Sequence, residues 1–223
     1  MELSITLIII IITSLISFSA FSNERLMDSL IFYPPAIHKN NQWYRFFSNG
    51  LLHADLTHLL FNMFALYIFG RVVESQFGQI FGDSGRILYF SMYVLALGAC
   101  LIPTYNKNKN NHQYRSLGAS GAVSAVIFAS ILLNPLMGMG LLFIPIYIAG
   151  FLFGFIYLAI SSWLDRKGGD NINHSAHIFG ALFGIIFLVI ASRLFSPYPV
   201  LENFIEQIKN MNPGDIIRFG SSY

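Results

Sequence analysis

Apolar residues gather in six runs, at roughly residues 3–21, 56–77, 86–103, 117–133, 143–163 and 174–195. A helix needs about 20 predominantly apolar residues to cross the hydrocarbon of a bilayer, so each run predicts a spanning helix. The first run lacks a basic leading region and a small-residue cleavage site, and its apolar core is long for a signal peptide. It therefore predicts a retained helix. The fourth run is short for a full crossing. It predicts a helix that starts part-way down from one surface, reached by an inward-dipping loop that protein or water must cover.

The intervening segments are of different kinds. Residues 22–55 hold Pro34-Pro35 and the run Trp43-Tyr44-Arg45-Phe46-Phe47, too apolar for a free linker and rich in rings that favour the interface. This segment is expected to lie partly in the membrane plane. Residues 104–116 are rich in Asn and Lys and predict a solvated loop, and 164–173, with Asp165, Arg166, Lys167 and Asp170, a short charged connection. Beyond the last run, Leu201, Phe204, Ile205 and Ile208 recur at helical spacing among Glu202, Glu206 and Lys209, the pattern of an interfacial helix. No internal repeat is visible, so an inverted-repeat transporter gains no support. The expectation is one all-α, polytopic membrane domain over residues 1–223, with its core at 43–195 and an interfacial or cytoplasmic tail at 196–223.

Composition agrees with that pattern. The chain is 55% hydrophobic and 11% charged, against about 25% charged in soluble domains. A net charge of +2 with no basic cluster gives no ground for a nucleic-acid partner. The single cysteine, Cys100, rules out a disulfide framework within the chain and predicts a packing residue.

Polar groups at membrane depth are costly and point to function. Ser120 lies in Gly118-Ala119-Ser120-Gly121, where a polar loop enters an apolar helix. The glycines allow close backbone approach. The first N–H groups of a helix have no intrahelical partner and face any oxyanion forming there. The same tetrapeptide also suits plain helix packing in lipid. His177 opens Ala176-His177-Ile178-Phe179-Gly180, with Gly180 and Gly184 on its own helix face. That face makes a groove for a close neighbour, and His177 could reach a serine there or could simply be a packed histidine. His174, at i−3, is expected at the surface or as a cap.

His53, His58 and Asn62 stand at the start of the second run, with His58 and Asn62 one helical turn apart. Both can donate hydrogen bonds, and a buried amide is wasteful unless something polar meets it. They fit either a developing oxyanion or a polar clasp between helices. Metal binding is the weaker use of these histidines, because no His-Glu-x-x-His and no nearby carboxylate within a span accompanies them. No metal and no cofactor is expected. Glu74, near Arg71, is expected to make a structural hydrogen bond.

In order and context these residues resemble the rhomboid family of intramembrane serine proteases. The motifs are the Trp43-Tyr44-Arg45 loop, His53, His58 and Asn62, Glu74 before Phe77-Gly78, Gly118-Ala119-Ser120-Gly121, and Ala176-His177 with Gly180 and Gly184. They cover about residues 43–190. The resemblance implies a six-helix bundle and a Ser120–His177 dyad, with an oxyanion hole made by His58, Asn62 and the Ser120 N–H. It further implies no aspartate behind the histidine and, around the site, a mobile gate made of the fifth span and the 164–173 loop. The implied activity is endopeptidase cleavage in or near transmembrane segments. Partners would be single-span membrane proteins and the lipid bilayer, with the oligomeric state left open.

The implied location is a bacterial cytoplasmic membrane, with the site open to the extracytoplasmic side. Two features depart from the expected pattern. Ser124 stands where some members carry an aromatic that supports the histidine ring. In that orientation Arg71, Arg86, Arg193, Lys209 and Arg218 face inward, whereas Arg25, Lys39, Arg45, Lys107, Lys109, Arg115, Arg166 and Lys167 face outward. The positive-inside rule alone favours the reverse. An inactive escort of membrane clients and a small transporter are the alternatives from other classes.

Overall fold

A computed structural model describes residues 3–140, 145–169 and 172–220. Five of the six apolar runs become helices near the expected bounds: α1 (Ile5–Phe21), α5 (Leu56–Phe81), α6 (Gly85–Ala99), α8 (Ser120–Leu133) and α10 (His174–Phe195). Between them lie the short helices α2 (Glu24–Leu30), α3 (Pro34–Asn40), α4 (Arg45–Ser48) and α7 (Ile102–Asn108). The fifth run yields α9 (Gly150–Lys167), and the amphipathic tail yields α11 (Val200–Lys209). Among the described residues, two helical stretches are long and apolar enough to cross a membrane, Leu56–Asn108 and His174–Phe195. The first turns back at Gly82, whose φ of 56° ends α5 and lets α6 pack antiparallel to it.

Three expectations need correction. The fifth run does not begin as a helix: residues 146–149 form a strand, β2 (Ile146–Ala149), pairing with β1 (Gly138–Gly140) and β3 (Ile217–Phe219). The antiparallel order β1-β2-β3 makes a small sheet in a chain expected to be all-α. Tyr147 and the β-branched Ile146 and Ile148 suit extended backbone, and a short apolar run does not separate strand from helix. The start of that run, at 143 and 144, and Asp170 lie outside the described residues. Second, the loop at 104–116 opens as α7, with Pro103 in its first turn, where a missing N–H is harmless. Third, α9 continues through Lys167, into the stretch expected to be a connection.

α8 is the hub. Apart from Ser120 and Ile127, every one of its residues is buried. Its 14 residues amount to about 21 Å at 1.5 Å per residue, against about 30 Å of hydrocarbon. It is too short to cross that thickness by itself. α10 lies closest to it. A Cβ added at Gly180 would strike the carbonyl of Gly121, and one at Gly184 the carbonyl of Ala125. The glycine face of α10 thus meets α8 backbone to backbone, which is the van der Waals route to helix association in lipid.

Glu74 fastens α1. Its carboxylate accepts from the Ile5 N–H at 2.7 Å, the Thr6 N–H at 3.1 Å and the Ser4 hydroxyl at 2.6 Å. The two backbone groups are orphan donors of a helix N-terminus, where negative charge is favoured. The structural role expected of Glu74 is therefore observed, although its partner is α1 and not Arg71.

Two outcomes follow from these contacts. Gly180→Val should push α10 off α8 and lower stability by about 1–3 kcal/mol, read as a fall in the thermal transition of the detergent-purified protein. Glu74→Ala should cost about 1.5–3 kcal/mol by leaving charged hydrogen bonds unmade, with Glu74→Gln intermediate in the same measurement.

Candidate active site

The segment 22–55 builds the frame of the site. Arg45 is 7% exposed, and its guanidinium donates to the carbonyls of Asp28 and Ile31 at 2.8 and 2.7 Å and to the Gln42 side chain at 2.6 Å. One buried cation thus gathers the turn between α2 and α4. Asn49 adds a second clasp, donating to the carbonyls of Arg45 and Phe46. The frame then reaches the segment that leads into α8. Phe32 and Ser116 exchange both backbone hydrogen bonds, and the Asn49 carbonyl accepts from the Gly118 N–H at 3.0 Å.

That path sets up the serine. Gly118 has φ of 121°, a conformation side-chain-bearing residues avoid. Its missing side chain leaves room for His58: a Cβ there would lie 2.9 Å from His58 Cε1. Ser120 is the first residue of α8, so its own N–H is one of the unpaired donors at that helix start.

His177 comes from α10, one turn before Gly180. Its Nε2 lies 2.7 Å from the Ser120 hydroxyl, a short hydrogen bond. Asn173 caps α10, its side chain accepting from the Ala176 N–H and from the Thr104 hydroxyl, both at 3.1 Å. α7 therefore helps to seat the helix that carries His177.

His58 and Asn62 rise from the first turns of α5, which Asp55 caps by accepting from the His58 N–H at 2.7 Å. The Ala54 N–H donates to His58 Nδ1 at 3.4 Å, which leaves Nε2 as the nitrogen that carries a proton in the neutral ring. Asn62 Nδ2 donates one hydrogen to the His58 carbonyl at 3.0 Å. The second amide hydrogen remains for another acceptor. Ser120, His177, His58 and Asn62 all line one cavity of about 620 Å3, together with Asn173, Gly118 and apolar residues that include Phe61 and Leu101.

His53 and His174 have other places. His53 is fully buried, with Nδ1 2.9 Å from the Ser17 hydroxyl of α1 and its ring edge-on to His58 at 4.9 Å. Burial, with the neighbouring His58, pushes His53 down to about 3, so it stays neutral. His174 is not at the surface, as its position near a loop had implied. It is 7% exposed and packs edge-to-face against His177 at 5.9 Å. Cys100 is buried against Gly121 as a packing residue.

One neighbour of His177 has no signal in the sequence. Tyr157 of α9 stacks on the His177 ring at 6.4 Å with an interplanar angle of 25°. Its hydroxyl lies 3.0 Å from the Ser124 hydroxyl of α8. A tyrosine in an apolar helix far from either motif carries no spacing that could mark it.

Comparison with known proteins places the chain in a family. The family model described as "Rhomboid domain" matches residues 40–194. The chain is 28% identical over 152 residues to "Putative rhomboid protease YdcA" of Bacillus subtilis (strain 168), covering 63% of each protein. It is 35% identical over 114 residues to "Rhomboid-like protein 11, chloroplastic" of Arabidopsis thaliana, covering 51% of this chain and 36% of that relative. "RHOMBOID-like protein 12, mitochondrial" of the same plant is 28% identical over 155 residues, 64% of this chain and 44% of that relative. The chain thus spans about a third to just under two thirds of the length of these relatives. Since the matched domain takes in most of the chain, with Ser120, His177, His58 and Asn62 all inside it, the chain belongs to the rhomboid family.

Proposed function

We propose that this membrane protein is a rhomboid-type serine endopeptidase that uses a Ser120–His177 dyad on peptide bonds in or near transmembrane segments. The observation that carries the reading is the 2.7 Å contact between Ser120 Oγ and His177 Nε2 at the wall of the cavity. A serine is a weak nucleophile until a base within hydrogen-bond reach takes its proton. Such a bond also holds helices together in lipid, but here it lies on the wall of a cavity that His58 and Asn62 share.

In the proposed reaction His177 removes the Ser120 proton and the alkoxide attacks the scissile carbonyl. The oxyanion takes hydrogen bonds from the Ser120 N–H, His58 Nε2–H and the second amide hydrogen of Asn62. Protonated His177 then gives its proton to the leaving amine, and water hydrolyses the acyl-enzyme with the same histidine as base. Asn49, Asn62, Ser116 and Asn173 add polar, uncharged groups to the cavity wall, a surface on which that water and the substrate backbone can be hydrogen-bonded.

The wider reading places α1, α5, α6, α8, α9 and α10 as six spans of one domain over residues 1–223. The substrates are single-span membrane proteins, and the membrane is a bacterial cytoplasmic one with the cavity opening to the extracytoplasmic side. Two arginines on that outer side are already engaged within the protein. Arg45 binds carbonyls in the 22–55 frame, and Arg115 pairs with Asp28 at 2.9 Å. On the inner side Arg193 and Arg218 are paired likewise, with Glu202 and Asp215, so pairing within the protein leaves the balance of the count unchanged.

Ser120→Ala and His177→Ala should each lower cleavage of a model transmembrane substrate in proteoliposomes by at least about a thousandfold. The thermal transition should stay within a few degrees of the parent. Retained cleavage in the Ser120 variant would overturn the assignment. Asn62→Ala should reduce kcat by about 10²–10³ with KM little changed, the cost of one oxyanion donor.

A further inference from the structure

The His177 ring has one hydrogen-bond partner among the described residues, Ser120. That bond fixes one nitrogen, and His174 meets the ring only edge-on at 5.9 Å, so neither offers a flat face to hold its plane. No carboxylate bonds to the ring among the described residues to hold its plane, and Ser124, on the helix of the nucleophile, is too small to do so.

Tyr157 supplies a flat face there. Its ring is near parallel to the imidazole, 25° off, and it is itself fixed from several directions. Phe153, one turn earlier on α9, stacks on it at 6.2 Å, and Phe128 of α8 leans against it at 5.7 Å. The Ser124 hydroxyl pins its outer end at 3.0 Å. The small side chain at 124 thus makes room for a ring from the neighbouring helix and then holds it.

We propose that Tyr157, anchored by Ser124, is the positioning residue for His177, so that α9 and not α8 supports the base. The inference rests on the dyad reading above. It also makes the base depend on the seating of α9, a helix that buries only Gly150, Gly154 and Ser161 and leaves Phe155, Ile160 and Trp163 exposed. Any displacement of α9 would take the support away from the histidine while leaving Ser120 in place.

The test compares Tyr157→Phe, Tyr157→Ala, and two double variants that refill the space from α8, Tyr157→Ala with Ser124→Phe and Tyr157→Ala with Ser124→Leu. Cleavage of a model transmembrane substrate gives kcat and KM, and the rate of Ser120 labelling by a fluorophosphonate probe reports the dyad directly. Tyr157→Phe keeps the ring but loses the Ser124 anchor, and should fall about three- to tenfold in kcat, less than Tyr157→Ala. Tyr157→Ala should lose about ten- to a hundredfold in kcat, the scale of a misplaced catalytic group, with KM within about twofold and labelling slowed in proportion. The double variant with Ser124→Phe, which restores a ring of similar volume, should recover at least about half of that loss on a logarithmic scale. The double variant with Ser124→Leu should not. Equal recovery with leucine, or kcat within about threefold of the parent in Tyr157→Ala, would overturn the positioning role. Loss in Tyr157→Phe as large as in Tyr157→Ala would overturn it as well. If Tyr157→Ala loses its thermal transition, the two double variants decide the question alone. Ser120→Ala run in parallel separates the two claims, since activity surviving there would overturn the dyad itself.

Discussion

The site depends on one backbone contact. α10 presents Gly180 and Gly184 to the carbonyls of Gly121 and Ala125 on α8, and neither glycine position has room for a methyl group. The two helices meet backbone to backbone at these positions. Ser120 is the residue before Gly121, and His177 lies one turn before Gly180. The same contact that holds the helices together therefore places the hydroxyl and the imidazole within 2.7 Å of each other. In lipid, where burial of apolar surface gives helices little reason to associate, such packing is a main source of attraction. Here it is also the alignment device.

A second constraint acts on the other side of the serine. The first helical residue of α8 is exposed to the cavity only because the chain before it is drawn aside. It is held by the Phe32–Ser116 bridge and by the bond from Gly118 to the Asn49 carbonyl. Both partners belong to the segment at 22–55, which Arg45 gathers around its guanidinium. The segment is thus a buttress. Its aromatic, proline-containing sequence serves to bury a cation with backbone carbonyls as its acceptors, which keeps a charge at the protein interior satisfied. α7 plays a matching part for the histidine, through Thr104 and the cap residue Asn173.

The parts legible in advance are those governed by local periodicity. The apolar runs mark α1, α5, α6, α8 and α10, and the spacing of His177 from Gly180 and Gly184 marks the packing face of α10. The i, i+4 spacing of His58 and Asn62 puts both on one face, and both line the cavity with Ser120 and His177. The strand at Ile146–Ala149 escapes such a reading because four apolar residues beside a helix have no periodicity of their own. The burial of His174 escapes it for another reason. Closeness to a loop in sequence says little about exposure, and His174 is buried against His177. The different partners of His53 and His58 are likewise invisible: their rings touch edge-on, yet one is tied to Ser17 of α1 and the other faces the cavity.

The sequence by itself determined which residues could react and which helices carry them, because serine, histidine and asparagine in apolar, glycine-notched helices are costly unless paired. Only the tertiary structure decided how the histidine is supported. Tyr157 and Ser124 are 33 residues apart, on helices with no shared period, and their meeting depends on how α9 seats against α8. The physical reason is the range of the interactions. Helix faces and caps are set by neighbours within about a turn or two, whereas ring stacking and a hydroxyl contact between helices exist only once the bundle has brought them together.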